Sequence, residues 1–260
     1  MVTVLEWSAY GEALGEAGAV LRGNAASAGL GASVPTCPGW VVTDLVTHVG
    51  LVHRWAAGRI RGEGERPDAD VEAEAAASDD LLDWFDDGLV DLLNALASAP
   101  EELSGDFFLP DAPPLRLAWA RRMAHETTIH AVDAMAARLG RSPQAGEVWF
   151  SAAFAADGLD ELLTGFLPRP RYELTPAEPD EVLVTPSDVD AGWLVEASAE
   201  GTETSRVAEL PDLGVVATDA TTVTGEARGL YLGLWNRGEE LACSDPAWLT
   251  RWREGVRVTW

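Results

Sequence analysis

His125-Glu126-Thr127-Thr128-Ile129-His130 places two imidazoles and a carboxylate within six residues, and the other two histidines, His48 and His53, pair up far upstream. These side chains ligate divalent ions, so their clustering points to a metal site. At ~100° per residue, Glu126 and His130 fall about 40° apart around a helix and one turn removed, so both can reach a single ion. His125 and His130 fall about 140° apart and diverge. The segment is therefore not the His-Glu-x-x-His arrangement in which two histidines bind zinc and the glutamate serves as base. Glu126 is expected to be a ligand itself. His48 and His53, five apart on the stretch 43–61, also face different ways, so only one of them is expected to join, and spacing leaves open which. Two histidines and a carboxylate with an open fourth position describe a catalytic rather than a structural zinc site. The plainer alternative is a pair of satisfied polar histidines on an amphipathic helix.

The upstream histidines follow Val34-Pro-Thr-Cys-Pro-Gly-Trp40 and Val41-Val-Thr-Asp-Leu-Val-Thr-His48. Pro38-Gly39 signals a turn, Thr43 is suited to cap a helix, and Asp44 suits the positive end of its dipole. This order of Cys-Pro-Gly-Trp, Asp-Leu and His, with the later His-Glu-x-x-x-His-x-x-Asp, resembles the mycothiol-dependent maleylpyruvate isomerase family, within the DinB-like group of metal-binding four-helix bundles. The resemblance spans nearly the whole chain and implies a metal triad of His48, Glu126 and His130. It also implies mycothiol as thiol cosubstrate. Gly229-Leu-Tyr-Leu-Gly-Leu-Trp-Asn-Arg237 looks like the helix ending in Leu-Trp-Gly-Arg of the family's small α/β domain, with Asn236 in place of the usual glycine. By that likeness Arg237 would be a catalytic residue that contacts an anionic substrate. The alternative is a solvated arginine at a helix end.

The 260 residues, 47% of them hydrophobic, suffice for one large or two modest domains. A formal charge of −25 argues against nucleic acid or an anionic membrane as partner, since both demand clustered positive charge. Acidic runs at 68–74 and 79–87 read as solvated faces. All 18 basic residues are arginine, which excludes a lysine Schiff base and a Walker-type phosphate loop. A lysine-free chain rich in Ala, Gly, Val and Asp is what a GC-rich genome produces, and it fits the actinobacteria, where mycothiol replaces glutathione. The two cysteines, Cys37 and Cys243, form no Cys-x-x-Cys, which disfavours zinc-ribbon and thioredoxin-like sites. Cys37 sits near a helix start, where a thiol can become reactive, but an inert cysteine is the commoner case. With no basic n-region and no long apolar run, the chain is expected to be cytoplasmic, a monomer or weak homodimer.

The elements expected to position these groups are mostly helices. Leu14, Ala17, Leu21 and Ala25 predict a first helix over 5–29, and Leu82, Phe85, Leu89, Leu92, Leu93 and Leu96 predict another from 79 to 98, capped by Ser78. The stretch 62–78 reads as a loop with some helix at its end. The Glu126 helix is expected from Leu115 to Leu139, stopped by Gly140. It carries Asp133 about 20° from Glu126, placed to support a ligand histidine. The apolar, proline-rich 107–114 segment is expected to line the entrance to the site. A helix over 147–165 leads to a boundary at Leu167-Pro-Arg-Pro170. Beyond it, β-rich runs are expected at 171–175, 181–185, 192–197, 203–210 and 215–218, followed by a helix over 223–235, a short helix from Asp245-Pro246 and a strand over 256–260. The reading is α+β multidomain: a DinB-like four-helix bundle over 1–167 and a small α/β domain over 168–260.

Such a site would hold a divalent metal, with zinc expected, and bring a low-molecular-weight thiol to a small electrophile. The family likeness favours a thiolate that adds to a cis double bond and leaves after rotation, or that remains as a transferase adduct. The competing readings are a non-catalytic small-molecule or metal binding protein, for which 11 tryptophans could line a pocket, and a metal-dependent hydrolase, whose base would have to be His53 or His125.

Overall fold

The apolar spacing of the N-terminal segment is realised as helix α1, Trp7–Ala28, with Tyr10, Leu14, Ala17, Leu21 and Ala25 on its buried face. The structure, a computed structural model, describes residues 5–169, 174, 180–207 and 220–258. The chain divides into two compact units, one of Glu6–Phe107 with Pro113–Pro143 and the other of Met1–Leu5, Phe108–Ala112 and Gln144–Trp260.

In the first unit four long helices form a bundle: α1, α2 (Val42–Arg61), α4 (Leu81–Ser98) and α5 (Leu115–Leu139), with a shorter α3 (Asp68–Ala77) inserted before α4. Helix α1 lies along α5 and α2 along α4, while α2 also packs on α5. The predicted stripe on α4 is buried at Phe85, Leu89, Leu92 and Leu96. Helices α2 and α4 approach closely because Gly50 and Gly88 carry no side chain. A Cβ at Gly50 would collide with the Trp84 ring, and one at Gly88 with the Arg54 guanidinium.

Two caps differ from the sequence reading. Helix α2 starts at Val42, because a bridge between Ser33 and Val41 pins the incoming chain; the Asp44 carboxylate accepts from the Val41 amide at 2.8 Å. Thr43 instead donates its hydroxyl to the Leu30 carbonyl. Ser78 closes α3 by donating to Ala75, and Asp80 caps α4, accepting from the amides of Leu82 and Asp83 at 2.8 and 3.2 Å. An ionised carboxylate is the better acceptor at the positive end of a helix.

Helix α5 ends where predicted, at Gly140 with φ 70°. It is not amphipathic. From Ala118 to Ala136 every residue is buried, including Arg121, Arg122, His125, Glu126, Thr127, Thr128, His130 and Asp133. Burying so many polar groups is tolerable only when they satisfy one another.

The second unit begins with α6 (Ala152–Asp160), capped by the Ser151 hydroxyl, which runs on as a π-helical segment over Glu161–Phe166. Its five-stranded sheet has the order β3-β2-β1-β4-β5. The strands are β1 (Asp180–Pro186), β2 (Trp193–Ser198), β3 (Gly201–Arg206), β4 (Thr221–Gly225) and β5 (Ala242–Cys243), and among the described residues only the β1–β4 pair is parallel. Residues Val182, Val184, Trp193, Val195 and Val223 form its buried face. The expected helix over 223–235 is shorter, α7 at Ala227–Leu234, because β-branched Thr221 to Thr224 continue as strand to Gly225. Helix α8 (Pro246–Gly255) follows, with Asp245 as its cap. Residues 256–258 form no strand. The runs expected at 171–175 and 215–218 lie outside the described residues, apart from Leu174.

Asp160 anchors this unit. Its buried carboxylate accepts from the Trp193 indole at 2.9 Å and from Arg206 Nε and an Arg206 terminal nitrogen at 2.5 and 2.8 Å. Arg206 reaches Asp111 with its other terminal nitrogen. No described helix is long and apolar enough to cross a membrane.

Candidate metal centre

Glu126 and His130 do share one face of α5, and the packing of α2 against α5 brings His48 to them. Glu126 Oε1 lies 3.3 Å from His48 Nε2 and 3.2 Å from His130 Nε2. The three donor atoms all fall within 4.8 Å of one another. Donors at zinc-like bond lengths on a tetrahedral ion sit about 3.3 Å apart. The observed separations therefore fit a divalent ion, as does the mixture of two imidazoles and one carboxylate.

The surroundings orient each donor. His130 Nδ1 is 2.9 Å from Asp133 Oδ2. With its Nδ1 proton given to that carboxylate, the ring presents Nε2 toward Glu126. The same Asp133 oxygen accepts from the Cys37 thiol at 3.2 Å, so the Cys-Pro-Gly-Trp turn is tied to the site through Asp133. Trp40 of that turn stacks on His130 at 6.3 Å between centroids and meets His48 edge-on at 5.2 Å. A second cluster of Cys37, His130 and Asp133 has donor spacing that an ion could use. It offers one imidazole where the first offers two, so the first cluster is the better candidate.

Burial alone would raise the Glu126 carboxyl, but His130, His48 and the Arg122 guanidinium hold it well below the usual range. Burial would likewise lower His130, yet Glu126 and Asp133 lift it to about 9.

The other histidines turn away. His125 is buried with its ring 6.4 Å from Tyr10. His53 is fully buried, its Nε2 2.8 Å from the Thr127 hydroxyl and its ring tilted against Phe85. Burial drives His53 down to about 3 from 6.5. A folded-state pKa below the unfolded one means stability that is complete above pH 6.5 and lost as pH falls toward 3. Urea unfolding between pH 7 and pH 3 is expected to show this as a pH slope that His53→Leu shrinks by about one proton. An unchanged slope in that variant would rule His53 out as the source.

Arg237 lies in the second unit just after α7, half-buried, with one terminal nitrogen donating to the Trp235 carbonyl at 2.9 Å. Asn236 before it has φ 60°. Asparagine is the residue that best replaces glycine in the left-handed region, so the departure from Leu-Trp-Gly-Arg preserves the backbone conformation glycine would permit.

Sequence reading missed Arg122. It is fully buried and donates to Glu126 Oε2 at 2.9 Å from one turn earlier on α5. The four-residue spacing of Arg122 and Glu126 was the available signal.

Residues 12–135 match the family described as mycothiol maleylpyruvate isomerase N-terminal domain, and residues 153–243 match the MDMPI C-terminal domain. Among solved structures, a histidine-to-alanine mutant of mycothiol-dependent maleylpyruvate isomerase superposes with a TM-score of 0.61 at 14% identity, covering 94% of this chain and 96% of that one. A second structure of mycothiol-dependent maleylpyruvate isomerase gives 0.59 at 15% identity with the same coverage. No curated protein matches by sequence.

Proposed function

The chain belongs to the mycothiol maleylpyruvate isomerase family, and from that premise we propose that it is a mycothiol-dependent isomerase whose divalent metal is held by His48, Glu126 and His130. The observation that carries the reading is the convergence of those three donor atoms within 4.8 Å. When bound, the ion would supply the acidity that keeps a coordinated thiol as its thiolate near neutral pH.

The chain's own residues do the rest. Asp133 fixes the tautomer and aim of His130, and Arg122 occupies the outer oxygen of Glu126, so the donors are set before any ligand arrives. Trp40 lies beside His130 with its ring plane nearly parallel to the imidazole. The Cys37 thiol is engaged with Asp133, which supports assigning the attacking sulfur to the small thiol rather than to the protein. The thiolate would add to an electron-poor cis double bond, the adduct would rotate about the resulting single bond, and elimination would return the thiol with the trans product. Arg237 is assigned to an anionic group of the substrate, a role suited to a forked guanidinium.

The test is elemental analysis of the purified chain, then incubation with maleylpyruvate, with and without mycothiol, watching for the trans isomer. Thiol-dependent conversion is the expected result. Conversion without thiol, or water addition in its place, would count against the proposal. Arg237→Ala is expected to raise KM about tenfold or more, with Arg237→Lys recovering part of the loss. An unchanged KM in both variants would remove Arg237 from the site.

A further inference from the structure

Glu126 has two oxygens with different neighbours. Oε1 faces His48 and His130, whereas Oε2 takes a hydrogen bond of 2.9 Å from Arg122. The Arg122 side chain is fully buried, and that of Glu126 is 4% exposed. A guanidinium in that position is costly to bury and is offset here by a carboxylate that is itself a candidate ligand.

We infer that Arg122 is a positioning residue with two effects: it holds Glu126 as a one-oxygen ligand, and its charge makes the centre prefer an anionic sulfur at the open position. The inference rests on the metal reading given above. A divalent ion with one carboxylate and two neutral imidazoles carries one positive charge. The Asp133 carboxylate, bonded to His130 in the buried interior, cancels it. Arg122 adds one positive charge beside the ligand carboxylate, which favours an anionic sulfur over a neutral one at the open position. Without Arg122 the same thiolate would lose that attraction in a medium that screens poorly. Removing the guanidinium also frees Oε2 to join Oε1 on the ion. The two consequences oppose each other: metal binding is kept or strengthened while thiol binding is weakened.

This opposition separates positioning from mere structural support, which would weaken both together. The experiment uses the full chain, stripped of metal, as wild type, Arg122→Met, Arg122→Gln and Arg122→Lys. Co2+ affinity is measured by competition with a chelator, and 2-mercaptoethanol affinity of the Co2+-loaded protein by its sulfur-to-cobalt absorbance, at one pH. Arg122→Met is expected to bind Co2+ at least as tightly as wild type and 2-mercaptoethanol about tenfold or more weakly. Arg122→Gln, which keeps a donor for Oε2 without the charge, is expected to match wild type for Co2+ and to share the thiol loss. Arg122→Lys is expected to return thiol affinity to within about threefold of wild type. Parallel losses of Co2+ and thiol in the neutral variants, or full thiol affinity in Arg122→Gln, would overturn the assignment while leaving the metal reading intact. A wild-type chain that takes up no Co2+ overturns both. Should Arg122→Met fail to fold, the Gln and Lys pair decides alone.

Discussion

Glu126→Ala is expected to leave the protein with less than about a tenth of its metal and to lower turnover by roughly three orders of magnitude, the scale seen when a principal charge-stabilising group is lost. Glu126 Oε1 is the donor that faces both histidines, so its removal leaves two imidazoles that no longer share a partner. The variant also strands the buried Arg122 guanidinium, which breaks an ion pair with a typical cost of about 3 kcal/mol or more. Loss of metal could then reflect loss of fold. His48→Ala answers this, because it removes a ligand from a side chain that is 20% exposed and pairs with no buried arginine. It should lose metal and activity while melting close to wild type once both are metal-free. Metal content by elemental analysis, with turnover by the appearance of the trans product, checks each variant. Full metal and full turnover in Glu126→Ala would dispose of the proposed centre.

The second large effect falls on stability of the sheet-containing unit. Asp160→Ala is expected to cost about 3 kcal/mol, because it removes the acceptor for the Trp193 indole and the carboxylate partner of Arg206 in one step. The Arg206 side chain is 36% exposed, so water recovers part of its charge, whereas the Trp193 indole is fully buried and recovers nothing. Asp160→Asn, which keeps an acceptor of the same shape, should lose about half as much. Guanidinium unfolding followed by near-ultraviolet circular dichroism would report the shift in midpoint. Wild-type midpoints for both variants would mean that the network contributes no net stability.

How far the sequence disclosed this molecule depends on which physical signal each part left. Helix α5 was legible to the residue at its end because glycine at the left-handed cap is a strong stop. Its burial on every face was not, since arginines, histidines, Glu126 and Asp133 spread around a helix normally mark a surface element; only the mutual pairing of those groups permits it inside. Helical arithmetic put Glu126 and His130 together but could not choose between His48 and His53. The choice depends on how α2 is rotated against α5, and that is set by tertiary packing: the rotation brings His48 to Glu126 and His53 to Thr127 and Phe85. The family likeness had named His48. Arg122 was readable as a four-residue neighbour of Glu126 but carries no motif of its own. In the second unit the π-helical segment left no trace in local propensity, and the start of α7 was misplaced because apolar periodicity runs without a break from β4 into the helix.

The three donor side chains differ in their access to solvent: His48 is 20% exposed, against 4% for Glu126 and 9% for His130. An ion held by them would therefore have one ligand that water can replace without disturbing α5. Departure would begin with the His48 ring swinging outward, and how long the ion stays would depend on how often that swing occurs. The Trp40 indole packs edge-on against His48, so that ring cannot move without Trp40 adjusting. Affinity would be decided mainly by Glu126 and His130, while the lifetime of the bound ion would be decided by a tryptophan that donates nothing to it.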